Sequence, residues 1–343
     1  MSITIQDVAK AAGVSVSTVS RVLNDKDDVA RETYEKVQGV IETLGYTSNL
    51  AAKSMRSQKT NVIGLVINNA HASYNIQVIR GAYLAADHYG YDLMVYTSHY
   101  KSGVAREKWE QHQISRLNGS LTDGIVIAAP LAASFSTLSP LVGVDAHSET
   151  TNYPAVIATN YQGAIEVMTY LTGLGHRRIG FITGRTYLQS SIRRLQGYKD
   201  GLHAANILFD QNLVQIGDYL EESGFICGQR LLSMNPRPTA IFAANDTMAV
   251  GVCNAARQLG VRIPDDVSLV GFDNIPEMAT HDPPLTTVDQ GIEQMGYIAT
   301  EMVVHLLQSK EIENKLYKIP TELIIRNSCA VPSAQTITLK DMQ

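Results

Sequence analysis

Cysteine is scarce in this chain of 343 residues. Cys227, Cys253 and Cys329 lie far apart and share no paired spacing. That argues against a disulfide framework or a cysteine zinc site and leaves reduced, structural thiols as the expectation. Long hydrophobic runs are missing too: nothing approaches the roughly 20 apolar residues of a membrane helix. The first residues carry Asp7 and Lys10 and no apolar block, so no secretory signal is read and a cytoplasmic location is expected. None of the nine histidines falls at a metal-ligand spacing. There is no nucleophile elbow and no phosphate loop. The first apolar strand is followed by Asn68–Asn69–Ala70–His71 rather than a glycine fingerprint. No metal, cofactor or catalytic residue is therefore expected, and the chain reads as a non-enzyme. A strong basic excess is also lacking, since the net charge is −5. Residues 1–60, however, hold eight Lys and Arg against seven Asp and Glu, so the acidity lies in the remainder.

What is present starts at the N-terminus. Ile5, Val8, Ala9 and Ala12 form an apolar helical stripe that opens at Thr4, a capping residue with Asp7 three positions on. Gly13 breaks the chain. Ser15 can then cap a second helix, which buries Val19, Val22 and Leu23 and turns Ser17 and Arg21 outward, with Val16 at the border. Two short helices around a glycine turn, the second with polar residues on its exposed side, describe a helix-turn-helix. On pattern alone a plain helical hairpin is the alternative. Ala30, Tyr34, Val37, Ile41 and Leu44 then mark a third helix that Gly45 can close. Asp25, Asp27 and Asp28 between the second and third helices read as a solvated turn. Lys53, Arg56 and Lys59 read as phosphate neighbours.

The words Ile5–Gln6–Asp7–Val8–Ala9–Lys10–Ala11–Ala12–Gly13–Val14–Ser15 and Thr18–Val19–Ser20–Arg21–Val22–Leu23–Asn24 resemble the N-terminal signature of the lactose-repressor (LacI/GalR) family of bacterial transcription regulators. The resemblance implies that Arg21 contacts a guanine, with Val16 and Ser17 setting the neighbouring base preference. Thr4, Ser15, Thr18, Ser20 and Asn24 complete the face expected to meet DNA. Ala30 stands where the family usually has Ser, which removes a cap worth about 1 kcal/mol. Residues 47–60 match the family's hinge, in which Asn49, Ala52, Lys53 and Met55 would meet DNA. Met55 takes the place of a leucine wedge in the minor groove. Ser48 replaces a frequent proline and Lys53 a frequent arginine; a plain tether is the other reading of this stretch.

From Asn61 short apolar strands alternate with helical stretches: 62–67, a helix over 77–88, 93–96, 125–128 and 141–144. The pattern then restarts with helices over 162–174 and 193–205 and strands at 214–217, 240–243 and 268–272. A helix over 292–307 and a last strand over 319–326 follow. The segment between Ala128 and Asp145 is short, so a helix there is expected to be reduced or missing. The expected fold is α/β: a three-helix DNA-binding domain, 1–46; a hinge segment, 47–60; and a two-lobed, periplasmic-binding-protein-like domain of parallel sheets, 61–330. Lobe 1 spans about 61–159 and 290–317, lobe 2 about 160–289 and 318–330, and 331–343 is a tail. The tail carries no leucine heptad, so a homodimer rather than a tetramer is expected.

The family resemblance continues through Ala243–Ala244–Asn245–Asp246–Thr247–Met248–Ala249, Val270–Gly271–Phe272–Asp273–Asn274 and Pro284–Leu285–Thr286–Thr287–Val288. Carried over by position, it implies an effector between the lobes held by Tyr74, Asp145, Arg194, Tyr219, Asn245, Asp273 and Gln290. Carboxylates, amides, an arginine and aromatic faces suit a sugar; a purine or another metabolite acting as corepressor is the alternative. Spacing alone does not separate Arg194 from Arg193. Asn245 and Asp273 could instead cap helices, and Tyr74 and Tyr219 could be core or rim aromatics. The implied partners are a pseudopalindromic duplex operator, a small molecule and a second copy of the chain, with no membrane. A solute-binding protein or a glycoside-processing enzyme built on Asp145 and Asp273 is the remaining alternative.

Overall fold

The structure, a computed structural model, describes residues 3–23, 26, 28–46, 59–97, 105–118, 121–147, 150–312 and 315–332. The expectations for Asn24, Asn49, Ala52, Lys53 and Met55, and for the tail beyond 332, lie outside the described residues. The chain divides into two compact units, residues 1–60 and 61–343.

In the first unit, α1 (Ile5–Ala12), α2 (Val16–Val22) and α3 (Arg31–Leu44) close on a small core. Val8, Ala12, Val19, Val22 and Val37 are completely buried in it. Thr4 and Asp7 form a reciprocal capping box, the Thr4 N–H donating to the Asp7 carboxylate at 2.8 Å. Gly13 ends α1 at φ 62°, a left-handed conformation that glycine adopts without steric cost. Ala30 makes no side-chain cap bond at the start of α3.

The second unit holds two sheets. The first contains β1 (Val62–Ile67), β2 (Asp92–Thr97), β3 (Gly124–Ala128), β4 (Leu141–Val144) and β5 (Ala155–Ala158). Completed by β11 (Leu316–Ile319), it is wholly parallel in the order β11-β5-β4-β3-β1-β2. Helices α4 (Ser73–His88) and α10 (Ile292–Leu307) cover one face, and α5 (Arg106–Leu117) packs against the other. The strands β1, β3 and β4 are buried along their whole length, which is why they read as unbroken apolar runs.

The second sheet runs β7-β6-β8-β9, also parallel. Its strands are β6 (Ile179–Thr183), β7 (Val214–Ile216), β8 (Ala240–Ala243) and β9 (Ser268–Val270). It is flanked by α6 (Asn160–Gly173), α7 (Gln189–Ala204), α8 (Glu221–Leu232) and α9 (Asp246–Leu259). A short antiparallel pair, β10 (Thr287–Asp289) and β12 (Glu322–Ile324), completes this lobe.

Three expectations are corrected. The helix expected from 77 starts at Ser73, so Tyr74 stands on its first turn and not in the loop before it. The helix α5 went unread because two of its five buried positions are Glu110 and Gln113, which hide the apolar period. The single last strand over 319–326 is two strands in different sheets. Pro320, which has no N–H to give a ladder, separates them, and the return to lobe 2 therefore falls after Ile319 rather than at 317. Of the acidic turn, Asp28 is exposed and pairs with Arg21, while Asp25 and Asp27 lie outside the described residues. Between β3 and β4 the chain forms no helix at all.

The two lobes are joined where the chain crosses at 159–160, 289–292 and 319–322. These crossings lie side by side: the Thr159 N–H donates to the Ile319 carbonyl at 2.9 Å, and the Thr321 N–H donates to Thr159 Oγ1 at 2.9 Å. Gly291, at φ 64°, makes the third crossing's turn, and a Cβ there would stand 3.0 Å from Ile319 Cγ2.

Candidate functional site

On α2 the Ser15 hydroxyl accepts from the Thr18 N–H at 3.1 Å and shares hydrogen bonds with the hydroxyls of Ser17 (2.7 Å) and Thr18 (2.8 Å). Ser15, Ser17 and Arg21 are exposed, while Val16, Thr18 and Ser20 are half-buried. Val16 leans on the core. Arg21 is the one charged side chain of α2, and its guanidinium lies 3.3 Å from the Asp28 carboxylate. The result is a hydroxyl-lined helix face with a single cation at its C-terminal end. Thr4 is exposed at the start of α1.

In the second unit, Tyr74, Asp145, Arg194, Tyr219, Asn245, Asp273 and Gln290 all line one cavity of about 210 Å³ between the lobes. Tyr74 and Asp145 come from lobe 1, Arg194, Tyr219, Asn245 and Asp273 from lobe 2, and Gln290 from a crossing. Arg194 is 2% exposed and is the organising group. Its Nε donates to Asn160 Oδ1 at 2.8 Å and its Nη2 to Gln290 Oε1 at 3.3 Å, while Nη1 donates to the Ala244 carbonyl. The guanidinium stacks 3.7 Å from the Phe272 ring centroid. Gln290 in turn donates to Asp273 Oδ1 at 2.6 Å. Arg193, one residue away, is exposed and with Lys318 lines an adjoining cavity of about 370 Å³ that shares Asp145 and Ser190 with the first.

Asp273 lies 3.7 Å from Arg194 Nη1, yet burial outweighs that charge. With Asp145 also opposing ionisation, its carboxyl is pushed up to about 7. The neighbouring Asp246 is fully buried, accepts from Thr287 Oγ1 at 2.6 Å and the Ile275 N–H at 2.9 Å, and is also pushed up, by burial first and then by Asp273. Asn245 spends its amide on structure: Oδ1 accepts from the Met248 N–H at 2.9 Å, capping α9, and Nδ2 donates to the Tyr219 carbonyl at 3.2 Å. It lines the cleft while capping α9 and bracing the Tyr219 backbone. The Tyr219 hydroxyl is held by Ser191 (2.6 Å) and Ser190 (3.2 Å).

Two polar atoms in this cavity are buried without a hydrogen-bond partner, Tyr74 Oη and His147 Nδ1. Buried polar atoms are ordinarily satisfied, so these two leave hydrogen-bonding capacity open toward the cleft. Burial pushes the Tyr74 phenol up and the His147 imidazole down, so both are neutral at pH 7. Backbone strain concentrates here too. Ala129, Asp145, Tyr219 and Asp273 all line the cleft, and all have positive φ (49°, 52°, 73° and 124°) without being glycine. The sequence reading missed His147, Arg185 and Arg106. Arg106 sits on the unread α5, where its Nε donates to the buried Glu110 at 3.1 Å and its Nη2 to the Ala129 carbonyl at 2.9 Å. Among the described residues no cluster of His, Cys, Asp and Glu is arranged to hold a metal ion.

Two family descriptions match the sequence: bacterial regulatory proteins of the lacI family over residues 4–49, and the periplasmic binding protein-like domain over residues 168–329. The HTH-type transcriptional repressor PurR of Vibrio atlanticus (strain LGP32) is 31% identical over 332 residues, covering 95% of this chain and 98% of that protein. PurR of Pasteurella multocida (strain Pm70) is 31% identical over 333 residues with the same coverage. Among solved structures, the Lac repressor dimer bound to operator and the anti-inducer ONPF is similar with a TM-score of 0.83 at 26% identity, over 96% of this chain and all of that one. The complex of the regulator CelR with cellobiose is similar with a TM-score of 0.69 at 28% identity, over 95% and 99% of the two chains. A helix-turn-helix face, a two-lobed unit with a polar cleft and relatives matched over nearly their full length converge: the chain belongs to the LacI family of bacterial DNA-binding regulatory proteins.

Proposed function

We propose that the protein is a transcriptional repressor that binds a pseudopalindromic operator as a homodimer in the cytoplasm and changes its grip when a sugar occupies the cleft between its lobes. One observation carries the effector reading. Arg194, Asp273 and Gln290 are pre-assembled on one side of the cleft, while Tyr74 Oη and His147 Nδ1 stand orphaned in the same cavity. Carboxylates, amides and a guanidinium suit the alternating donors and acceptors of a polyol, and the two tyrosines offer its apolar face a surface. We assign Tyr74, Asp145, Arg194, Tyr219, Asp273 and Gln290 to the effector, with Asn245 shaping the wall. Arg21, Val16 and Ser17 are assigned to base readout, and Thr4, Ser15, Thr18 and Ser20 to positioning on the backbone. The protein binds its effector without transforming it.

A purine is the second reading, favoured by the relatives named PurR and by the same two tyrosines, which would take a planar base. The experiment selects an operator from random duplexes with the full-length protein. Its affinity is then measured by fluorescence anisotropy against mono- and disaccharides and nucleobases, with thermal shift in parallel. A sugar that shifts both signals supports the proposal. A nucleobase that does so replaces it with the purine reading, and the absence of any salt-sensitive, sequence-selective binding overturns the regulator itself.

A further inference from the structure

We propose that Asp28 is a specificity-determining positioning residue for DNA reading, acting through Arg21. The recognition face of α2 is neutral apart from Arg21: beside the half-buried Val16, its other exposed or half-exposed groups are the hydroxyls of Ser15, Ser17, Thr18 and Ser20. A carboxylate beside the one cation is costly for a surface that must approach phosphates, yet Asp28 stands 3.3 Å from the Arg21 guanidinium, both side chains 59% exposed. Its effect is selective. Next to a fixed anion, Arg21 gains less from an anionic phosphate oxygen than it would alone. The neutral O6 and N7 acceptors of guanine are penalised far less. Asp28 therefore biases Arg21 away from the backbone and toward base edges, giving up non-specific affinity for discrimination. The helix face itself presents no net charge until the pair opens. The inference deepens the assignment of Arg21 to base readout and rests on it.

The test uses the full-length protein with two probes: the duplex recovered by site selection and a scrambled duplex of equal length. Affinities are measured by anisotropy across a range of KCl. Exposed pairs of this kind shift an equilibrium by up to about fivefold. Asp28→Asn is accordingly expected to tighten scrambled-duplex binding by about two- to fivefold and to steepen its logarithmic salt dependence by about one, as one further phosphate contact would. The ratio of selected to scrambled affinity should fall. Asp28→Glu should restore that ratio. In an Arg21→Ala background, Asp28→Asn should leave the ratio unchanged, because the residue through which it acts is gone. An equal effect of Asp28→Asn in both backgrounds would reduce Asp28 to general phosphate repulsion and overturn the proposal, as would an unchanged ratio in the wild-type background. If Arg21→Ala leaves base preferences intact, the Arg21 assignment fails first, and the proposal falls with it through a distinct readout.

Discussion

Replacing Asp273 with Asn keeps the shape of the side chain and an oxygen to accept from Gln290 Nε2, now 2.6 Å away, but removes the ionisable carboxyl. In the folded protein that carboxyl is pushed up from 3.8 to about 7, so between those values the native state binds a proton that the unfolded chain has already lost. Stability from this group is fully present below about pH 4, declines as pH rises toward 7, and is flat above. At 1.36 kcal/mol per unit, the full cost is about 4 kcal/mol, and roughly 2–3 kcal/mol of it develops between pH 5 and pH 8. Asp246 acts in the same direction, because its like-charged neighbour disappears in the variant. The offset at any one pH also contains the altered surroundings of Arg194, so the slope is the diagnostic quantity. Urea unfolding of both proteins at half-unit steps from pH 5 to pH 8 should give a stability difference that moves in favour of Asn as pH rises. A difference that stays constant across the range would refute the reasoning. The same variant should lose its effector response while retaining operator affinity.

Three further outcomes follow from the packing. Gly81→Ala would place a Cβ 1.9 Å from the Glu293 carbonyl oxygen where α4 meets α10, and should lower the urea midpoint by an amount equivalent to about 1–3 kcal/mol or more. Tyr74→Phe removes an orphaned buried hydroxyl, whose burial costs about 1–3 kcal/mol. Its effector-free melting temperature should hold or rise while the response to the effector weakens, and a lowered melting temperature would contradict the orphan assignment. Ser15→Ala deletes the cap of α2, and should cost about 1 kcal/mol in the first unit, read as weaker binding to selected and scrambled duplexes alike.

The legible parts of the fold were those in which one face or one run carries the signal. The capping box at Thr4 and Asp7, the glycine stops at Gly13 and Gly45, and the wholly buried strands β1 and β4 are all written in local chemistry. The helix α5 was illegible because its buried Glu110 is satisfied not only by Arg106 one turn away on the same helix but by the N–H groups of Leu131 and Ala132, which are distant in sequence. The same long-range satisfaction concealed Arg106, whose Nη2 donates to the Ala129 carbonyl, as a cleft residue, while nothing in the sequence around His147 marks its imidazole as buried. Asp273 and Arg194 could be placed by family resemblance, but their electrostatic balance depends on Phe272, Gln290 and Asp145 meeting from separate elements. The Arg21 to Asp28 contact was likewise invisible, since a run of acids reads as solvated until one of them is seen to touch a partner.

The three side-by-side passages of the backbone between the lobes restrict what an occupant of the cavity can do. Bodies pinned at three adjacent points, with Thr159 tied to both Ile319 and Thr321, swing about the line of those pins far more easily than they slide past one another. Whatever free energy a small molecule gains from favouring one opening angle is thereby delivered as a rotation of one lobe against the other. Because the pins lie at one edge of the cavity, a small swing there becomes a larger arc at each lobe's far rim.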